Sequence, residues 1–189
     1  MSKSPVPNRD LLQLRVGQPL AADCSLLAAR EAIRQLLYQY CRGVDRREWA
    51  AVEACFHADA LDDHGGGVLR TPAELVSWLG KRHLRTTSSF HMVMNVAFLI
   101  EDFDQVRTES LCWARQRYRA GTGDRHLEVA CRYLDRLEFR DGIWAIGHRQ
   151  VVYEWLEDCA ATAPQVPPGI AGDVSRRDRE DPVFAFLAR

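Results

Sequence analysis

The chain has 189 residues, 47% hydrophobic and 27% charged, which is ordinary globular composition with room for one domain and a sizeable core. A formal net charge of −1, with Arg interleaved among Asp and Glu, gives no electrostatic case for a nucleic-acid partner. No apolar run approaches the roughly 20 residues of a membrane helix, the start lacks the apolar core of a secretory signal, and six cysteines without a C-x-x-C pair suit a reduced, cytoplasmic protein.

Residues 1–21 carry three prolines and no sustained periodicity, and read as an N-terminal arm. The folded domain is placed at 22–156. From Asp23, the residues Leu26, Leu27, Ile33, Leu36, Leu37, Tyr40 and Val44 recur at the spacings of one helix face. Asp23 or Ser25 can cap this helix and Gly43 can end it, which sets Asp45 at a corner. A second helix is expected over about Arg46 to Phe56, then a hairpin bent around Gly65-Gly66-Gly67. Thr71-Pro72-Ala73-Glu74 opens a third helix with the signature of a capping box.

The rest reads as strand. Ser89–Ile100 has apolar residues on both alternations, so both its faces are expected to be buried. Val106–Arg119, Leu127–Phe139 and Ile143–Trp155 follow, joined by turns at Glu101–Gln105, Ala120–Asp124 and Arg140-Asp141-Gly142. Residues 157–189 are expected to form an extended tail, whose apolar cluster Val183, Phe184, Phe186 and Leu187 is a candidate for docking on the body or a neighbouring subunit. The element order implies an α+β fold in which a strongly curved antiparallel sheet wraps around three N-terminal helices, leaving an apolar cavity between them.

These residues resemble a known pattern. It consists of Tyr40-x-x-x-x-Asp45, Trp49, Phe56-His57-Ala58-Asp59-Ala60, His91 in its strand, Tyr133-Leu134-Asp135-Arg136, Asp141-Gly142-Ile143-Trp144 and Arg149 through Trp155. Together they are similar to the SnoaL-like branch of the nuclear-transport-factor-2-like superfamily, which includes scytalone dehydratase and hexachlorocyclohexane dehydrochlorinase. The resemblance implies a cone-shaped α+β barrel with a pocket at its wide end. It implies catalytic roles for Asp45 and His91 as an Asp–His dyad, and an anion-handling role for Arg149. Two departures from the dehydratase stand out: its second pocket His falls near Arg115, and its pocket Tyr is Val44. Scytalone itself is therefore not the expected substrate. The superfamily also holds isomerases, cyclases, binding modules and the small subunits of ring-hydroxylating dioxygenases, so fold alone does not select among them.

The chemistry asked of these residues is specific. A carboxylate beside a buried imidazole fixes its tautomer and raises its basicity, which makes His91 a general base oriented by Asp45. The competing reading is a helix-capping Asp45 and a satisfied core histidine. Arg149 can hold a leaving anion or pair with an acid across the sheet. Tyr40 can donate to a substrate oxygen. Arg115 is a candidate polar contact, as is Arg132; Trp113 and Tyr133 are candidate pocket wall. The cluster His57, Asp59, Asp62, Asp63 and His64 offers zinc- or iron-type ligands, but its glycine-rich hairpin fixes no geometry and it contains no helical H-x-x-x-H pair. The expectation is a cofactor-independent, metal-free lyase or isomerase acting on a small, largely apolar, oxygenated molecule. A homodimer or homotrimer is expected, with no nucleic-acid or membrane partner. The alternatives are a non-catalytic ligand-binding module or an accessory dioxygenase subunit.

Overall fold

A computed structural model describes residues 24–100, 102, 104–162 and 175–188; the expected arm and the cap candidate Asp23 lie outside them. Helix α1 (Cys24–Arg46) buries Ile33, Leu37, Tyr40, Cys41 and Val44 along one stripe, whereas Leu27 is exposed. The helix does not end at Gly43. It runs through it, and a Cβ there would lie 2.8 Å from the Val52 side chain of α2 (Trp49–Glu53): the glycine is a close-packing residue. The turn is made instead by Arg47, at φ 58°. Phe56, expected at the end of the second helix, already belongs to strand β1 (Phe56–Asp63).

β1 pairs with the short β2 (Leu69–Arg70) across a turn in which Gly65, Gly66 and Gly67 all have positive φ, a conformation that costs glycine little. Helix α3 (Pro72–Arg82) starts with the expected capping box, Thr71 and Glu74 each holding the other's backbone N–H. Strands β3 (Thr86–Ile100), β4 (Gln105–Ala120), β5 (Gly123–Arg140) and β6 (Ile143–Ala160) form a long antiparallel meander. The sheet order is β2-β1-β6-β5-β4-β3, with β1 parallel to β6. This is an α+β fold, a six-stranded curved sheet around N-terminal helices, and the sheet is not closed.

β3 corrects an expectation. Ser89 and the His91 and Val93 positions face inward, then Asn95 takes φ 52° at a bulge and the parity flips, so that Phe98 faces the core. Apolar residues on both alternations therefore reflect this switch rather than two buried faces. Phe90, Met92 and Met94 lie on the outer surface.

The tail is not simply extended. Residues 175–188 return to the body and end in α4 (Pro182–Leu187). Its anchors are polar. Arg177 and Asp181 are buried, whereas Phe186 and Leu187 of the apolar cluster are exposed.

Candidate active site

Asp45 sits in the last turn of α1 and accepts three hydrogen bonds from β3. Ser89 Oγ donates at 2.8 Å, the His91 backbone N–H at 2.9 Å, and His91 Nδ1 lies 2.6 Å from Oδ1. The carboxylate thus both pins strand to helix and fixes the imidazole, placing the Nδ1 proton toward Asp45 and leaving Nε2 for other contacts. Both side chains are about nine-tenths buried. Burial works against the imidazolium, but the Asp45 hydrogen bond and charge outweigh it and raise the His91 pKa above its usual 6.5.

His91 lines a cavity of about 60 Å³ between the sheet and helices α1 and α3. Val44, Leu79, Val129 and Val151 give its wall an apolar part, and His64, Arg82, His83 and Gln116 a polar one. The space is narrower than an ordinary ligand pocket, because the rings of Tyr40, Tyr133, Tyr153 and Trp78 crowd it.

Several candidates lie elsewhere. Arg149 does not line the cavity. It is fully buried, paired in two parallel bonds with Asp135 at 2.7 and 2.8 Å, and held between the rings of Tyr40 and Tyr133. Burial disfavours its charge, yet the Asp135 carboxylate more than compensates and keeps it protonated. Arg149 is thus an ion pair across the β5–β6 ladder rather than an open anion clamp. Arg115 and Trp113 point outward, Arg115 toward Glu128, because they share the opposite parity to Ala114, the cross-strand partner of His91. Arg132 faces out between Glu109 and Glu154. Tyr40 and Tyr133 do line the cavity.

The candidate metal cluster is dispersed. His57 bonds the Glu138 carbonyl, Asp59 pairs with Arg140, and Asp62 with His64. Among the described residues, no group of three or more His, Cys, Asp or Glu is arranged to hold a metal ion.

Four cavity or near-cavity groups escaped the sequence reading in these roles: His64, His83, Gln116 and Arg177. Gln116 lies on the inward parity with Ala114, a signal available from strand alternation. Arg177 crosses from the tail to donate to the Val44 and Asp45 carbonyls and to His83 Nδ1. No local sequence signal announces that contact. Burial, with the Arg177 and His91 charges behind it, holds the His83 pKa down to about 3, so this ring stays neutral and accepts.

With this geometry in view, the comparisons are decisive for family. The SnoaL-like domain matches residues 25–150. The chain belongs to that family. No curated protein matches it in sequence. Among solved structures, it is similar to a candidate scytalone dehydratase of Novosphingobium aromaticivorans, at 19% identity and TM-score 0.65 over 78% of this chain and 97% of that one. It is also similar to the hexachlorocyclohexane dehydrochlorinase LinA-type3 of Novosphingobium barchaimii, at 21% identity and TM-score 0.67 over 76% and 97%. A third is a candidate aromatic ring hydroxylase of Novosphingobium aromaticivorans, at 19% identity and TM-score 0.62 over 70% and 94%. At these identities the likeness concerns the fold. Among the described residues, no helix of this SnoaL-like protein is long and apolar enough to cross a membrane.

Proposed function

We propose that this SnoaL-like protein is a small-molecule lyase or isomerase, with His91 abstracting a proton beside a carbonyl or leaving group and Asp45 orienting it. The observation that carries this reading is the 2.6 Å contact between the two largely buried side chains, with His91 on the wall of a small cavity. In such surroundings the carboxylate stabilises the imidazolium that forms when the proton arrives, and water competes little for it. General-base help of this kind is worth about 10²–10⁴-fold in rate. The similar structures named for a dehydratase and a dehydrochlorinase both carry names of eliminating enzymes, which supports the reaction class.

The cavity is the volume of about two water molecules. It accommodates the reacting end of a substrate, a carbonyl and its neighbouring carbon, while the rest of the molecule displaces side chains at the mouth. The same narrowness favours one competing reading, a ligand-binding module without chemistry. Turnover separates the two. Parent, His91→Gln and Asp45→Asn are compared on a panel of hydroxy ketones and halogenated rings. The reading expects turnover in the parent and its collapse in His91→Gln. Binding without turnover in the parent, or equal turnover in all three, overturns it.

A further inference from the structure

We propose that Asp62, His64 and Tyr40 form a second proton relay on the cavity wall, one that protonates a departing hydroxyl group. The substrates of this site are then β-hydroxy carbonyl compounds that lose water. The inference rests on the base role given to His91 above.

His64 lies just past the end of strand β1, two residues after Asp62, and both it and Tyr40 line the cavity that holds His91. Its Nδ1 lies 2.5 Å from Asp62 Oδ1, and its Nε2 lies 3.3 Å from the Tyr40 hydroxyl. Asp62 is almost wholly buried, and its other oxygen has no hydrogen-bond partner among the described residues. The imidazole is thus the hydrogen-bonding compensation for a carboxylate that would otherwise be costly to bury. Trp78 packs against the His64 ring at 5.5 Å, and the Tyr153 hydroxyl donates to the His64 carbonyl. These contacts hold the ring at the junction between β1 and the glycine turn that follows. The site therefore holds two imidazoles, each oriented through Nδ1 by its own aspartate.

A halide leaves carbon as a stable anion, and one base suffices to expel it. Hydroxide is a poor leaving group and needs a proton as it departs. In the step inferred here, His91 Nε2 takes the proton from the carbon beside the carbonyl. The electrons of that C–H bond become the carbon–carbon π bond as the C–O bond breaks. The departing oxygen takes the Tyr40 hydroxyl proton and leaves as water, while the imidazolium form of His64 passes its Nε2 proton to Tyr40. Burial pushes the Tyr40 pKa well above its usual value, despite the opposing Arg149 charge, so tyrosinate does not accumulate and the two transfers are concerted. The product is the unsaturated carbonyl compound plus water, and the proton left on His91 returns to His64 through solvent.

The test uses a β-hydroxy-β-phenyl ketone and its β-chloro counterpart, followed by the ultraviolet absorbance of the common enone product. Parent, His91→Gln, His64→Gln and Tyr40→Phe are compared as full chains, with thermal unfolding reporting on each fold. The parent is expected to act on both probes and His91→Gln on neither. His64→Gln and Tyr40→Phe are each expected to lose about 10²–10³-fold in kcat/KM on the hydroxy ketone, with little change on the chloride. Equal losses on the two probes in both variants, or none, overturn the relay while leaving the base role of His91 standing. Failure of the parent on both probes overturns both readings.

Discussion

Arg177 Nε donates to the backbone carbonyl of Asp45 at 2.6 Å, tying the tail to a residue 132 positions earlier in the chain. Its Nη2 also serves the Val44 carbonyl at 2.7 Å and His83 Nδ1 at 2.9 Å. The last carbonyls of a helix have no partner within it, and a cation there suits the negative end of the helix dipole. One guanidinium thus caps α1 at the point where α1 presents Asp45 to His91. Burial and the nearby Arg47 charge pull its pKa to about 10, which still leaves it protonated near neutrality.

Arg177→Ala therefore has two expected effects. Loss of these charge-assisted bonds costs about 2 kcal/mol in denaturant unfolding. The Arg177 charge also pulls the His91 pKa down, so its removal moves the rising limb of the pH–activity profile to higher pH. A variant with parent stability and an unmoved limb would show that the tail contact is incidental.

The Arg149–Asp135 pair gives a separate expectation. Removing one member of a buried ion pair strands the other, so Arg149→Ala is expected to cost about 3–5 kcal/mol. Replacing both by apolar residues, as in Arg149→Met with Asp135→Leu, should recover much of that loss. The check is urea unfolding of the single and double variants. An Arg149→Ala protein of parent stability that had lost only substrate affinity would instead favour the anion-holding role.

His83 makes acid stability a local question. Its folded pKa is about 3, against 6.5 for the ordinary side chain, so the unfolded chain takes up a proton that the fold refuses. The neutral ring thus contributes stability that is complete above about pH 6.5 and drains away as pH falls toward 3. His91 works in the opposite sense: its pKa is raised, so its contribution is full below 6.5 and is lost as pH rises through the folded value. Unfolding midpoints measured across this range should fall less steeply with acid in His83→Asn than in the parent. Parallel curves would remove His83 from the account.

Much of this was legible in the sequence because it is local. The stripe Ile33, Leu37, Tyr40, Val44 announces a helix, and Thr71-Pro72-Ala73-Glu74 its neighbour's start. Each meander strand lies within a few residues of its expected span. The pairing of Asp45 with His91 was an expectation of resemblance, and the structure places them in contact. What failed depends on register and on distance along the chain. Resemblance sets Arg115 near the pocket and aromatic bulk suggests Trp113 for its wall, but pairing of His91 with Ala114 turns both outward and brings Gln116 in. Gly43 was read as a stop because composition shows no α2 pressing on it. Arg149 takes the second of its two expected roles, pairing with Asp135 on the neighbouring strand, whereas Arg177 finds its carbonyls across the whole fold. The metal reading of His64 misses its pairing with Asp62, two residues away in the chain.

The central claim is that His91, held by Asp45, takes a proton from carbon. The most direct measurement is hydrogen–deuterium exchange at the carbon beside the carbonyl of a simple aryl ketone with no leaving group, followed by NMR across pH. The account predicts catalysed exchange in the parent that rises with pH through the raised pKa of His91 and levels off once the ring is neutral. In Asp45→Asn the limb moves to lower pH and the plateau falls, and in His91→Gln exchange returns to background. Exchange at background in the parent, or a profile identical in all three proteins, would contradict it.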